Sequence, residues 1–293
     1  MSIFTGSGTA LVTPFTADGK GVNFDALEKI IDFQLNGCTD ALIITGTTGE
    51  ASTMTSKEKL DTLGCAIDRV KGKIPVIAGT GNNNTAQSIE NSLEAQKMGA
   101  DGVLIVTPYY NKATQEGLIA HYTAIAEAID IPVIVYNVPS RTGLNIAPAT
   151  MARLGEHKNI RGIKEASGNI AQIVNVARSC RNMDLYSGND DQVVPILSVG
   201  GKGVISVVSN VAPKLTHDMV MAFLEGDTKK AMELQYAAAD LSDALFCEVN
   251  PIPVKAAMAM MGFEVGPVRL PLTPLSQGAV PKVEGALKRA GLI

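Results

Sequence analysis

Short runs of apolar, β-branched residues alternate along the chain with longer stretches in which apolar positions recur every three to four residues. The first pattern predicts strands and the second amphipathic helices. Strands are expected at 9–13, 41–45, 75–79, 102–107, 132–137, 160–164, 185–188 and 203–207, with helices at 25–36, 56–70, 85–98, 115–129, 170–180 and 213–224. Continuously apolar strands are buried on both faces, and helical crossovers between them impose parallel pairing. Eight such units point to a (β/α)8 TIM barrel, whose usual size is about 250 residues. An open doubly wound sheet fits less well, because no GxGxxG follows the first strand and the units continue past six.

Beyond Gly226 the alternation gives way to three helical stretches, at 228–246, at 253–261 and one ending near Arg289, punctuated by Pro251, Pro253, Pro267, Pro271 and Pro274. Proline ends helices and marks the connections between them. The expected organisation is a barrel over 1–225 and a C-terminal three-helix region over 226–293.

With 46% hydrophobic and 18% charged residues, the 293-residue chain has the means to bury a large core. Its net charge of -4 speaks against nucleic acid or an anionic membrane as partner. Apolar runs such as Gly102–Val106 are strand-sized, far short of the ~20 residues a membrane span needs. Residues 1–8 have neither the basic nor the apolar part of a signal peptide, and Cys38, Cys65, Cys180 and Cys247 are scattered as reduced thiols would be. The expectation is a cytoplasmic protein.

In such barrels chemistry sits where strands end. The second strand runs into Thr45-Gly46-Thr47-Thr48-Gly49-Glu50, which is either a plain glycine-rich turn or a set of hydroxyls and amides facing an anion. Three of the six tyrosines, Tyr109, Tyr110 and Tyr136, fall at the ends of the fourth and fifth strands, and Arg141 follows between Pro139 and Gly143. One tyrosine there would read as an aromatic plug; three beside an arginine point to a site. The sixth strand ends in Ile163-Lys164-Glu165, although burying an ammonium is costly and lysine seldom closes a buried strand. The seventh leads into Gly188-Asn189-Asp190-Asp191, and with no histidine nearby the acidic pair reads as a helix cap rather than a metal site. His121, His157 and His217 lie in or beside helical stretches without ligand spacing, so no metal is expected.

These strand ends also carry a family resemblance. Gly46-Thr47-Thr48-Gly49-Glu50, Tyr136-Asn137-Val138-Pro139-Ser140-Arg141-Thr142-Gly143 and Gly162-Ile163-Lys164-Glu165-Ala166-Ser167-Gly168 closely resemble the dihydrodipicolinate synthase family, within the pyruvate-dependent class I aldolases that include N-acetylneuraminate lyase. The likeness runs from Gly6-Ser7-Gly8-Thr9 to Asn250-Pro251-Ile252-Pro253-Val254-Lys255. It implies a lyase of lysine and diaminopimelate biosynthesis that condenses pyruvate with aspartate semialdehyde. Residue by residue, it implies that Lys164 forms the Schiff base and that Tyr136 shuttles protons, linked through Thr48 to Tyr110, which reaches into a neighbouring subunit. Thr47 and Thr48 would hold the pyruvate carboxylate, Arg141 the carboxylate of the second substrate, and Gly188 and Ile205 would add backbone contacts. It also implies a homotetramer built from two tight dimers.

Sibling aldolases acting on sialic acid or 2-keto-3-deoxy sugar acids share the lysine and tyrosine. The paired threonines, Tyr110 and Arg141 favour a short carboxylated aldehyde over a polyol. A barrel that only binds a small acid is the reading outside catalysis, and the intact set of site residues speaks against it. One departure is informative: feedback-inhibited members carry a histidine and a glutamate in the pocket that binds lysine, where this chain has Lys59 and Gln87, although Asn83 and Tyr109 match. A cation gained and a carboxylate lost disfavour a dibasic ligand, so weak or absent inhibition by lysine is expected.

The chemistry explains why these groups are needed. Lysine attacks a ketone only as the neutral amine, and an unperturbed pKa of ~10.4 leaves a handicap of roughly 4–5 kcal/mol at pH 7. Burial in a barrel mouth removes much of it. The protonated imine is then its own electron sink, and no metal or organic cofactor is required. A tyrosine can both give and take the protons, and an arginine fork suits a carboxylate.

Overall fold

Each apolar run that reads as a strand hydrogen-bonds to the run before it and the run after it, in parallel. In the computed structural model, which describes residues 2–293 and so leaves Met1 outside, the strands are β1 (Gly6–Ala10), β2 (Ala41–Ile44), β3 (Val76–Gly79), β4 (Gly102–Val106), β5 (Val133–Asn137), β6 (Ile160–Glu165), β7 (Asp184–Ser187) and β8 (Gly203–Ser206). They pair in sequence order and β8 returns to β1, closing the barrel. At the seam Gly6 stands opposite Gly203, and a Cβ on Gly203 would lie 1.9 Å from the Gly6 carbonyl oxygen, so closure demands glycine there.

Helices Ser56–Val70, Thr85–Met98 and Pro213–Leu224 occupy the expected positions. Their starts follow local chemistry: Thr55 and Glu58 form a reciprocal capping box, and the Asn84 side chain accepts from the amides of Ala86 and Gln87. Three further helices, Pro139–Thr142, Pro148–Leu154 and Val193–Ser198, are too short to show a helical period in the sequence.

β1 lies further towards the N-terminus than the expected 9–13. Leu11 still donates to the Ile43 carbonyl, but the Val12 amide turns to Oδ1 of Asn210 at 3.0 Å. Asn210 also donates to the Ala10 carbonyl at 2.8 Å, so a side chain replaces the ladder where the chain leaves the barrel. Gly6-Ser7-Gly8, which resembles a turn by composition, is the strand.

Inside the barrel, Ala10, Ile43, Ile77, Leu104, Ile134, Tyr136, Tyr186 and Ile205 form one apolar cluster. Phe4 stacks on Tyr186 at 4.2 Å between ring centres, and the Tyr186 hydroxyl donates to the Phe4 carbonyl. These aromatics plug the N-terminal end and leave the opposite mouth for ligands.

The helices Thr228–Leu245, Ile252–Met260 and Val280–Arg289 do not form a separate core: Leu241, Val254, Met258 and Val283 share an apolar cluster with Leu11, Val103 and Val135 of the barrel. Polar ties reinforce this packing. The Lys255 ammonium meets Oε1 of Glu50 at 2.8 Å with both side chains buried, and the Arg269 amide donates to Oε2 of Glu50. Among the described residues, no helix is long and apolar enough to cross a membrane.

Candidate active site

Lys164 lies in β6, in register with Tyr136 on β5 and Tyr186 on β7. Its side chain points into the mouth of the barrel with only 6% of its surface exposed, and its Nζ sits 4.4 Å from the centre of the Tyr136 ring. No carboxylate lies within ion-pairing distance of it among the described residues. Burial pulls the ammonium pKa down to about 7; the Asp190 carboxylate opposes that shift and the Arg141 cation assists it. The Tyr136 phenol, also buried, is pushed up to about 12, with Arg141 and the Thr47 side chain acting the other way. An amine that readily gives up its proton and a firmly protonated phenol are thereby held side by side.

The cavity in front of them measures about 560 Å³ and is lined by Thr45, Gly46, Thr47, Thr48, Tyr136, Arg141, Lys164 and Gly188 among others. Among the described residues, Lys59, Arg141 and Lys164 are its charged lining, and no aspartate or glutamate lines it. In a chain of net charge -4, an all-cationic cavity is a local specialisation for anions.

Most residues singled out in the sequence converge here. Thr47 and Thr48 lie on a turn entered through left-handed Thr45 and left through left-handed Glu50. Gly188 sits against the stem of Lys164: a Cβ there would lie 3.1 Å from Lys164 Cε and 2.6 Å from the Ala166 Cβ. Arg141 projects from the short helix Pro139–Thr142. Three residues behave differently. Thr48, expected to link Tyr136 onward, takes a hydrogen bond from Asn250, and the hydroxyl beside the Tyr136 phenol is that of Thr47. Ile205 is buried within the barrel and is not among the cavity-lining residues. Tyr110 is 90% exposed with φ of 71° and does not line the cavity of its own chain, whereas Tyr109 does.

The structure adds groups that the sequence reading passed over. Asp190, read as a cap, does cap a turn: it accepts from the Ser206 hydroxyl and from the amides of Val207 and Val208 after β8. It is also a fully buried carboxyl, raised by that burial, close enough to bias Lys164. Glu165, adjacent to Lys164, accepts from the Asn137 side chain and the Ser167 amide and so braces the ends of β5 and β6. Asn250 lines the cavity from the C-terminal region. Burial without cationic pairing was the signal available for Asp190 and Glu165, and a sequence does not display it. Lys59 is half-buried and burial lowers its pKa, while Gln87 donates to Glu90 and Asn91. No group of three or more His, Cys, Asp or Glu side chains is placed to share a metal ion among the described residues.

Fold and site define a (β/α)8 barrel of the enzyme kind, with a desolvated lysine amine in a cationic cavity at the carboxyl ends of its strands. Comparison with known proteins sharpens this: residues 3–290 match the dihydrodipicolinate synthetase family, and the chain belongs to it. A 4-hydroxy-tetrahydrodipicolinate synthase of Lachnoclostridium phytofermentans is 55% identical, with 100% of both chains covered. Among solved structures, dihydrodipicolinate synthase of Thermotoga maritima superposes with a TM-score of 0.97 at 44% identity, covering 99% of this chain and 100% of that one. The chloride-inhibited enzyme of Acinetobacter baumannii, solved in complex with pyruvate, superposes with a TM-score of 0.97 at 43% identity, with 99% of both chains covered. The activity of this chain is that of a 4-hydroxy-tetrahydrodipicolinate synthase, a lyase of lysine biosynthesis.

Proposed function

We propose that Lys164 captures pyruvate as a Schiff base and that the resulting enamine attacks the aldehyde of aspartate semialdehyde. The observation that carries this reading is the Lys164 amine itself, buried, without an acid partner, brought to about 7 and set against the Tyr136 ring. At pH 7 about half of such amines are neutral, so the handicap of an ordinary lysine is nearly removed.

The steps balance on groups of this chain and its substrates. The Lys164 nitrogen attacks the ketone carbon, and the carbonyl oxygen leaves as water after proton transfers that the Tyr136 phenol serves. The protonated imine then draws electrons from the methyl group as that group passes a proton to the Tyr136 relay, which returns one to the aldehyde oxygen in the next step. The enamine forms a carbon–carbon bond to the aldehyde, whose oxygen becomes a hydroxyl. Finally the aldehyde substrate's own amine replaces Lys164 at the imine carbon, closing the ring and freeing the enzyme. Thr47, through its backbone amide, and Thr48 hold the pyruvate carboxylate, Arg141 takes the second carboxylate, and Gly188 and Ile205 add backbone contacts. Since the Thr47 hydroxyl is the one beside Tyr136, the relay from Tyr136 towards Tyr110 runs through Thr47 in this proposal.

The same reading extends to assembly and surroundings. Tyr110 is exposed and of no use to its own cavity, which supports its insertion beside a neighbour's Tyr136 in a homotetramer of two tight dimers. Residues 1–225 form the catalytic barrel, and 226–293 a three-helix region that buttresses its mouth. Four free thiols support a reducing, cytoplasmic setting.

The test is borohydride reduction in the presence of pyruvate, followed by mapping of the modified peptide. A pyruvate-dependent adduct on Lys164 is expected. An adduct on another lysine, or none, sinks the mechanism.

A further inference from the structure

Nδ2 of Asn250 donates to Oγ1 of Thr48 at 3.0 Å, across 202 residues of sequence. The two residues are 5% and 2% exposed, and both line the cavity that holds Lys164. A hydroxyl has a single proton. With its oxygen already engaged as an acceptor, the Thr48 O–H is free to donate elsewhere. Asn250 supplies the one protein hydrogen bond that reaches this hydroxyl among the described residues, so its proton has no acceptor within the chain. The other end of the amide supports the same orientation. Asn250 Oδ1 is buried without a partner, and reversing the amide would strand two N–H donors there in place of one carbonyl oxygen.

We propose that Asn250 is a positioning residue for the substrate carboxylate: by donating to Thr48 it commits that hydroxyl to donate into the cavity. The proposal rests on the reading of Thr48 as a pyruvate contact given above. It assigns the C-terminal region a part in substrate recognition as well as in packing. Anchorage of the turn is already provided by Lys255 and Arg269, which hold Glu50 two residues beyond Thr48. A second tie to the same turn adds little rigidity, but a donor aimed at a hydroxyl determines which way the proton points.

The test is a double-mutant cycle on the full-length protein, read as KM for pyruvate, kcat and thermal melting. Asn250→Ala should raise KM for pyruvate about tenfold with kcat within about threefold, the signature of a lost ground-state contact. Thr48→Val should raise KM at least as much, and the double variant should be no worse than Thr48→Val alone. Asn250→Leu, similar in outline and without a donor, replaces the alanine variant should that one fail to fold. Full additivity in the double variant, or an unchanged KM in both Asn250 variants, overturns the inference and leaves the reading of Thr48 standing. An unchanged KM in Thr48→Val removes that reading and the inference with it.

Discussion

Gly188 of β7's terminal turn lies against the stem of Lys164, so close that a single methyl group would fall 3.1 Å from Cε. The Lys164 side chain is thus confined by a missing side chain as well as by those present. Gly188→Ala should displace the amine or the Ala166 backbone, costing about 1–3 kcal/mol of stability. Because small misplacements of a reacting group are expensive, kcat should fall on the order of 10- to 100-fold. Steady-state kinetics beside a melting curve separates the two effects, and wild-type kcat would show that the site relaxes around the methyl.

The pH dependence of kcat/KM for pyruvate follows from the same amine. Burial brings Lys164 to about 7, so lowering the pH through that value protonates it and removes the nucleophile, while raising the pH restores it. Between pH 8 and pH 6 the neutral fraction falls from about nine-tenths to about one-tenth. An acid limb centred near 7 is expected. A limb centred near 10 would place the ammonium in water.

Lys255 and Glu50 form a buried ion pair, with their side chains 3% and 1% exposed. Lys255→Met would leave the Glu50 carboxylate without its cation, retaining only the Arg269 amide as a polar partner from the C-terminal region. Breaking such a pair from one side costs roughly 3–5 kcal/mol, to be read from denaturant unfolding. The paired change Glu50→Gln with Lys255→Met should recover much of the loss.

If Tyr110 completes a neighbour's site, two inactive proteins should rescue one another. Mixed after dissociation and reassembly, Tyr110→Phe and Lys164→Ala subunits would create intact sites in mixed pairs, about a quarter of all sites for random two-fold pairing. Activity well above the sum of the separate variants is expected. No gain on mixing would confine each site to its own chain.

Lysine itself should inhibit weakly or not at all. Lys59 puts a half-buried ammonium in the outer cavity, and Gln87 offers an amide already engaged by Glu90 and Asn91. A dibasic ligand would meet the like charge of Lys59, and at position 87 a neutral amide in place of a carboxylate. A lysine titration in the standard assay tests this, and half-inhibition below millimolar concentration would defeat it.

Much of this protein is written in its residue order. Eight apolar runs separated by helical periods determine a parallel barrel, because strands buried on both faces must be covered by helices and joined by crossovers. A lysine closing a buried strand, three clustered tyrosines and an arginine in a tight loop mark the reactive mouth, since none of them is a packing choice. Tertiary structure decided what depends on distance across the fold and on direction within a turn. It placed the first strand at Gly6–Ala10, where Asn210 intercepts the ladder, and set the Thr47 side chain beside the phenol of Tyr136. It set Asp190 behind the amine and Asn250 on Thr48, 202 residues apart in sequence. Hydrophobic periodicity reports which face of an element is buried; it carries no information about which polar groups meet once those faces have closed on one another.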